Sequence, residues 1–174
     1  MDKSALYKLG YGMYIVGAHD GEKLNAQVAN TVFQITSEPP TVAVSINKEN
    51  LTHAYIEASE AFSASVLCQD TPLSFIGGFG FKSGRDVNKL ENVRYKIGVT
   101  GSPIVLDYAT AYLEAEVINS LDVGTHTIYV GKLVDAEVLT QEVCMTYEYY
   151  HQVKRGTTPK TAPSYIAKDN KGGK

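Results

Sequence analysis

Residues 41–47 (TVAVSIN) carry Val42, Val44 and Ile46 at every second position, with Thr41, Ala43, Ser45 and Asn47 between them. A period of two predicts a strand buried on one face. After the polar turn Lys48-Glu49-Asn50, Leu51, Ala54, Tyr55 and Ala58 recur at helical spacing, which predicts a helix over about 50–59. Upstream, residues 11–18 (YGMYIVGA) are apolar on both faces and end at the turn His19-Asp20-Gly21. Residues 24–35 (LNAQVANTVFQI) read as one strand, closed by Ser37-Glu38-Pro39-Pro40.

Downstream, residues 61–68 (AFSASVLC) set Phe62, Ala64, Val66 and Cys68 on one face and the serines on the other. Thr71 and Pro72 suit a helix start. Residues 80–90 (GFKSGRDVNKL) form an irregular basic loop. Two long alternating stretches, 109–120 and 126–139, are joined as a hairpin through Leu121-Asp122-Val123-Gly124, and Lys132 beside Gly131 breaks the second alternation, predicting a bulge. Six or seven closely spaced strands with two short helices favour a closed all-β barrel, because so few helices cannot cover a parallel sheet. There is no internal repeat. From Lys154 the periodicity stops and Pro, Gly and Lys accumulate, which reads either as a tail whose first part drapes over the barrel and whose end, 166–174, is flexible, or as a linker.

Composition narrows the classes. A chain of 174 residues is most simply one domain, able to bury roughly 70% of its unfolded surface. Apolar residues at 44% and charged residues at 20% are ordinary for a globular protein. A net charge of −3 argues against a nucleic-acid partner. No apolar run reaches the roughly 20 residues of a membrane helix, and the N-terminus lacks the apolar core of a signal peptide. Cys68 and Cys144, 76 positions apart, make no metal-ligand pair, so no metal is expected and a cytoplasmic protein with reduced thiols is.

Three constellations could carry chemistry. In 24–35, Asn25, Gln27, Ala29 and Thr31 share one face, a polar floor for a flat ligand with heteroatoms. Asparagine is disfavoured inside strands, so Asn25 and Asn30 serve either such a floor or a turn. The cluster Ser45, Asn47, Lys48, Asn50 and Thr52 sits where a strand hands over to a helix N-terminus, whose free N–H groups favour an anion. Here too two readings stand: a phosphate site, or Asn50 as a plain N-cap beside a solvated Lys48. The loop Lys82, Ser83 and Arg85 is either a second anion clamp or exposed surface. His126, after Gly124-Thr125, lies at a strand start and either approaches a ligand at the barrel mouth or is structural. No G-x-G-x-x-G opens a helix after a strand, which excludes a Rossmann-type nucleotide site.

The run NAQVANTVFQITSEPPTVAVSINKENLTHAYI resembles the flavin reductase-like family, the FMN-binding split barrels: an Asn-rich strand, a Pro-Pro turn, a V-x-V-x-I strand and a polar turn into a helix. GSPIVLDYATAYLEAEV (101–117) and GTHTIYVGKLVDAEVL (124–139) resemble its later strands, and YHQVKRGTTPKTAPSY (150–165) is similar to the end of the flavin domain in flavoredoxins and high-molecular-weight rubredoxins. The resemblance implies a Greek-key split β-barrel over 1–165 with two or three short helices, standing alone without a rubredoxin module. It implies FMN, its ring lined by Asn25, Ala29, Asn30 and Thr31. The ribityl chain and phosphate would be held by Ser45, Ile46, Asn47, Lys48, Asn50 and Thr52, under a loop carrying Ser83, Arg85 and Lys89. His126, in a Gly-Thr-His where relatives have Gly-Asp-His, becomes the catalytic candidate on the nicotinamide side. A homodimer is implied, and the tyrosines of MTYEYYHQ suit either its surface or the core.

The resemblance leaves three functions open: an NAD(P)H-dependent flavin reductase releasing reduced flavin, a carrier passing electrons from bound FMN to a rubredoxin-like or flavodiiron protein, or a module on the same barrel that holds a cofactor without turnover or binds no flavin at all. In the first two the cofactor supplies the redox chemistry and the protein supplies position.

Overall fold

The computed structural model describes residues 1–165, and the expected flexible tail at 166–174 lies outside them. After a short 3-10 turn at Lys3–Lys8, the chain runs β1 (Tyr14–His19), β2 (Leu24–Ala29), β3 (Val32–Ser37), β4 (Pro40–Asn47), α1 (Leu51–Ser59), β5 (Ala61–Leu67) and α2 (Leu73–Gly80). Then follow β6 (Tyr95–Ile97), β7 (Pro103–Val105), β8 (Ala109–Asp122), β9 (His126–Val138) and α3 (Tyr147–Gln152). Seven strands form one antiparallel sheet in the order β2-β1-β5-β8-β9-β4-β3, and β6 with β7 forms a separate hairpin.

That order dictates closure. β2 and β3 are the two ends of the sheet, yet only Asn30 and Thr31 separate them in the chain. Seven strands laid flat would set these edges about 29 Å apart. The three steps from Ala29 to Val32 span at most about 11 Å. The sheet therefore has to roll until its edges meet, which is the split barrel. The expectation of one strand over 24–35 is corrected here: its alternation runs through Asn30-Thr31 by coincidence, and the chain crosses there from one edge to the other.

Alternating positions of β1 and the residue before it feed two cores. Val16 and Ala18 join Val42, Val44, Ile46, Phe62 and Ala64, with Tyr55 and Ile56 of α1. Met13 and Ile15 join Ala26, Leu67, Ile76, Phe79, Met145 and Tyr150 under α2 and α3. Burial on both sides is the reason 11–18 is apolar throughout.

Both faces of β5 are covered: Ser63 and Ser65, opposite Phe62 and Ala64, are fully buried. Ser63 Oγ donates to the Pro103 carbonyl at 2.6 Å, because the β6–β7 hairpin covers that side. The same cover buries Glu114, whose carboxylate accepts from Val99 N, Thr100 N and Thr100 Oγ1 at 2.9, 2.7 and 2.6 Å.

β9 does deviate, but at Val134, which is skipped between the pairs Glu114↔Asp135 and Ala115↔Leu133; Ile118 is skipped on β8. Gly131 itself stays paired, with Val42 and Val117. It is small because a Cβ there would sit 2.7 Å from Ala115 Cβ and 2.8 Å from the Phe62 ring. Pro72 is the N-cap of α2 rather than its first residue, and Thr71 Oγ1 donates to the Cys68 carbonyl instead of capping.

Candidate functional site

A cavity of about 280 Å³ opens between β2, the β4–α1 turn, α2, the loop after it, α3 and the segment 157–163. Its floor comes from alternate residues of β2, Asn25, Gln27 and Ala29, which period-two geometry puts on one face. Asn25 Nδ2 donates to Thr52 Oγ1 at 2.8 Å, joining the floor to α1. Gln27 Oε1 is buried without a partner, an acceptor left waiting for a donor. Gly84 brings the loop hard against this floor, since a Cβ there would fall 2.0 Å from Asn25 Oδ1.

One end of the cavity is the N-terminus of α1. Asn47 Oδ1 accepts from Glu49 N at 2.9 Å, which bends the turn. Asn50 is the N-cap residue, but its side chain makes no capping bond, so the amide and the first N–H groups of the helix remain available at the cavity wall. Arg85 Nη1 donates to the Glu49 carbonyl at 2.9 Å, while Ser83 Oγ accepts from Arg85 N at 3.1 Å. Lys89 Nζ donates to the Phe79 carbonyl at 3.0 Å, at the C-terminal end of α2. Burial lowers its pKa to about 8.

Of the residues singled out in the sequence, Asn25, Ala29, Asn30, Ser45, Asn47, Asn50, Thr52, Ser83, Arg85 and Lys89 line this one cavity. The structure places four others elsewhere. Thr31 lies behind the wall, where its carbonyl accepts from Ser45 N and its hydroxyl donates to Asn30 Oδ1. Ile46 is in the barrel core. Lys48 turns away and pairs with Asp122 at 2.6 Å. His126 sits behind the C-terminal segment, with Nε2 3.2 Å from the Thr161 carbonyl and Nδ1 2.9 Å from Thr125 Oγ1. Burial pushes its pKa below the ordinary value, and the Thr161 carbonyl opposes this.

The C-terminal segment does drape over the barrel, as a strap along the cavity. Asn30 Nδ2 donates to Ser164 Oγ at 2.7 Å, Ser164 Oγ donates to Tyr147 Oη at 2.9 Å, and Tyr150 Oη donates to the Thr157 carbonyl at 2.8 Å. Thr157, Pro159, Thr161 and Pro163 line the cavity with Tyr147 and Tyr150. The tyrosines of MTYEYYHQ thus serve the cavity and the core. Sequence reasoning did not assign the strap, Phe79 or these tyrosines to the site. The signal available was weak: an aromatic cluster followed by a Thr-Pro-rich stretch too polar to form its own core.

Fold and cavity together define a split-barrel protein with a polar-floored cavity at a helix N-terminus. Residues 6–158 match the family model described as "Flavin reductase like domain", and the chain belongs to that family of flavin-dependent oxidoreductases. It is 57% identical over 165 residues to a high molecular weight rubredoxin of Moorella thermoacetica, covering 95% of this chain and 72% of that protein. It is 49% identical over 166 residues to a ferric-chelate reductase (NAD(P)H) of Archaeoglobus fulgidus, covering 95% and 98%. An FMN-binding protein from Thermus thermophilus, solved with p-hydroxybenzaldehyde, superposes with a TM-score of 0.69 at 28% identity, over 76% of this chain and 74% of that one. No helix among the described residues is long and apolar enough to cross a membrane.

Proposed function

We propose that this protein holds FMN in the β2–α1 cavity and moves electrons from NAD(P)H to an acceptor, as a cytoplasmic homodimer. The observation that carries the reading is the convergence at one cavity end of the uncapped α1 N-terminus, the free Asn50 amide and the Arg85 guanidinium. Such a set suits a terminal phosphate, because the positive helix end and charge-assisted donors act on the same anion. The Arg85–Glu49 bridge closes that end, which favours a mononucleotide over a dinucleotide leading further on.

The remaining surface fits the rest of the group. Gln27 Oε1 lacks a donor, and the ring system of a flavin carries an imide N–H. Asn25, Asn30 and Ser45 offer further polar groups, while Ala29, Ile76 and Phe79 supply apolar walls. A flavin held there would supply a ring able to accept hydride and release electrons singly or in pairs. The residues of this chain bind, orient and shield it. His126 acts through the strap, holding Thr161 against the cavity, rather than by proton transfer.

The relative named as a ferric-chelate reductase supports NAD(P)H as donor, and the relative named as a high molecular weight rubredoxin supports a small redox protein as acceptor. Free flavin is the other acceptor. For the dimer we assign the half of the sheet where Phe33, Ile35, Ile118 and Leu121 stand exposed on β3 and the β8–β9 hairpin. The test is an absorbance spectrum of the purified protein with mass identification of the released pigment, followed by NADH and NADPH oxidation with and without added FMN. Turnover by retained FMN supports the proposal. Colourless protein that refuses added FMN overturns it, and activity strictly proportional to free FMN assigns the releasing reductase instead.

A further inference from the structure

Cys68 and Cys144, 76 positions apart, face each other as a residue pair of an antiparallel bridge. Met145 N donates to the Leu67 carbonyl at 2.7 Å and Gln69 N to the Val143 carbonyl at 2.9 Å. The two bonds flank the cysteines, which makes them a non-hydrogen-bonded pair, the closer of the two antiparallel types. Side chains of such a pair stand on the same face, with Cα atoms about 4.5 Å and Cβ atoms about 4.5–5.5 Å apart. A disulfide spans Cα separations of about 4.4–6.8 Å and Cβ separations of about 3.5–4.5 Å, so a small closure suffices. The thiols are free, and their surroundings differ. Cys68 is buried beside Thr71 Oγ1 at 3.8 Å, while Cys144 is exposed, 3.4 Å from Thr110 Oγ1.

We propose that Cys68 and Cys144 are a reversible dithiol–disulfide pair, oxidised by small-molecule disulfides. The exposed Cys144 thiolate attacks one sulfur of the small disulfide, whose other half leaves as a thiol. Cys68 then attacks Cys144 Sγ in the mixed disulfide and expels the second half. The two protein thiols lose two electrons and two protons, and the small disulfide takes them up as two thiols. Neither step involves the flavin, so the inference stands apart from the proposed function.

The bond would sit at the root of the cavity. Cys68 lies just ahead of α2, which brings Ile76, Phe79 and Gly80 to the wall. Cys144 lies just ahead of α3, which brings Tyr147 and Tyr150. Oxidation therefore ties together the two chain segments that lead into these wall helices.

The test incubates the folded full-length protein with oxidised glutathione, then counts thiols in denaturant and maps peptides. The expected result is loss of both thiols, an intramolecular Cys68–Cys144 peptide and no retained glutathione. Cys68→Ser should instead keep one glutathione on Cys144, and Cys144→Ser should leave Cys68 unmodified. Hydrogen exchange at the Gln69 and Met145 amides should slow on oxidation and recover on reduction. Persistent free thiols in the wild type, glutathione stably retained on Cys144, or a link between two molecules would each overturn the pair.

Discussion

Arg85 reaches across the cavity mouth to the Glu49 carbonyl at 2.9 Å and so places its guanidinium at the N-terminus of α1. The neighbouring Lys48, the more obvious cation in the sequence, turns outward to Asp122 at 2.6 Å. The positive charge beside the α1 N-terminus therefore comes from a residue 36 positions away in the chain.

Replacing Arg85 by Ala should weaken FMN binding about tenfold to a hundredfold, since a hydrogen bond to a charged group contributes about 1.5–3 kcal/mol. Lys48→Ala should change it less than about fivefold, because its exposed ion pair contributes about 0–1 kcal/mol. Quenching of flavin fluorescence on titration reads both constants. Equal losses in the two variants would contradict the placement.

Lys89 loses its charge near pH 8, because burial lowers its pKa to about 8. A cation at the cavity wall attracts the phosphate only while protonated, so the dissociation constant for FMN should rise as pH climbs through that value. Lys89→Met should bind more weakly at pH 7 and lose this rise. A binding curve measured from pH 6.5 to 9.5 checks it.

His126 predicts acid sensitivity of the strap. Burial holds its folded pKa below the ordinary value of about 6.5. In the window between the two values the unfolded chain binds the proton and the folded one does not, so stability rises with pH there. The contribution of the neutral ring is present above about pH 6.5 and is lost as pH falls through the folded value. Desolvation shifts His53 the same way, so a slope remains in His126→Gln, but a shallower one. Thermal midpoints from pH 5 to 7.5, with proteolysis of the 155–165 segment, read the difference.

Glu114→Gln should cost about 1–3 kcal/mol of stability, because one of three converging donors then meets an amide NH2 group inside a fully buried site. Denaturant midpoints measure this. FMN affinity should hold, since Glu114 does not line the cavity.

Much of this was readable along the chain. The alternation of Val42, Val44 and Ile46 gave β4 to within a residue, and the helical spacing after Asn50 gave α1. The polar face of Asn25 and Gln27 was visible because strand periodicity is local. The β2–β3 break was not, because Val32 follows Asn30-Thr31 with the parity of an uninterrupted strand. Nor could alternation reveal that Ser63 and Glu114 are buried, since that depends on the β6–β7 hairpin lying over β5 and β8.

The sequence by itself determined β4, α1 and the polar face of β2, because these rest on spacing within a few residues, and the residues of those stretches carried the family resemblance. Tertiary structure alone decided which cation stands at the N-terminus of α1, that the serine face of β5 is covered, and that two distant cysteines oppose one another. Each of those depends on partners some 36 to 76 positions apart in the chain. Local periodicity cannot encode such pairs. The closing of the sheet, forced by Asn30-Thr31 joining its two edges, brings them together.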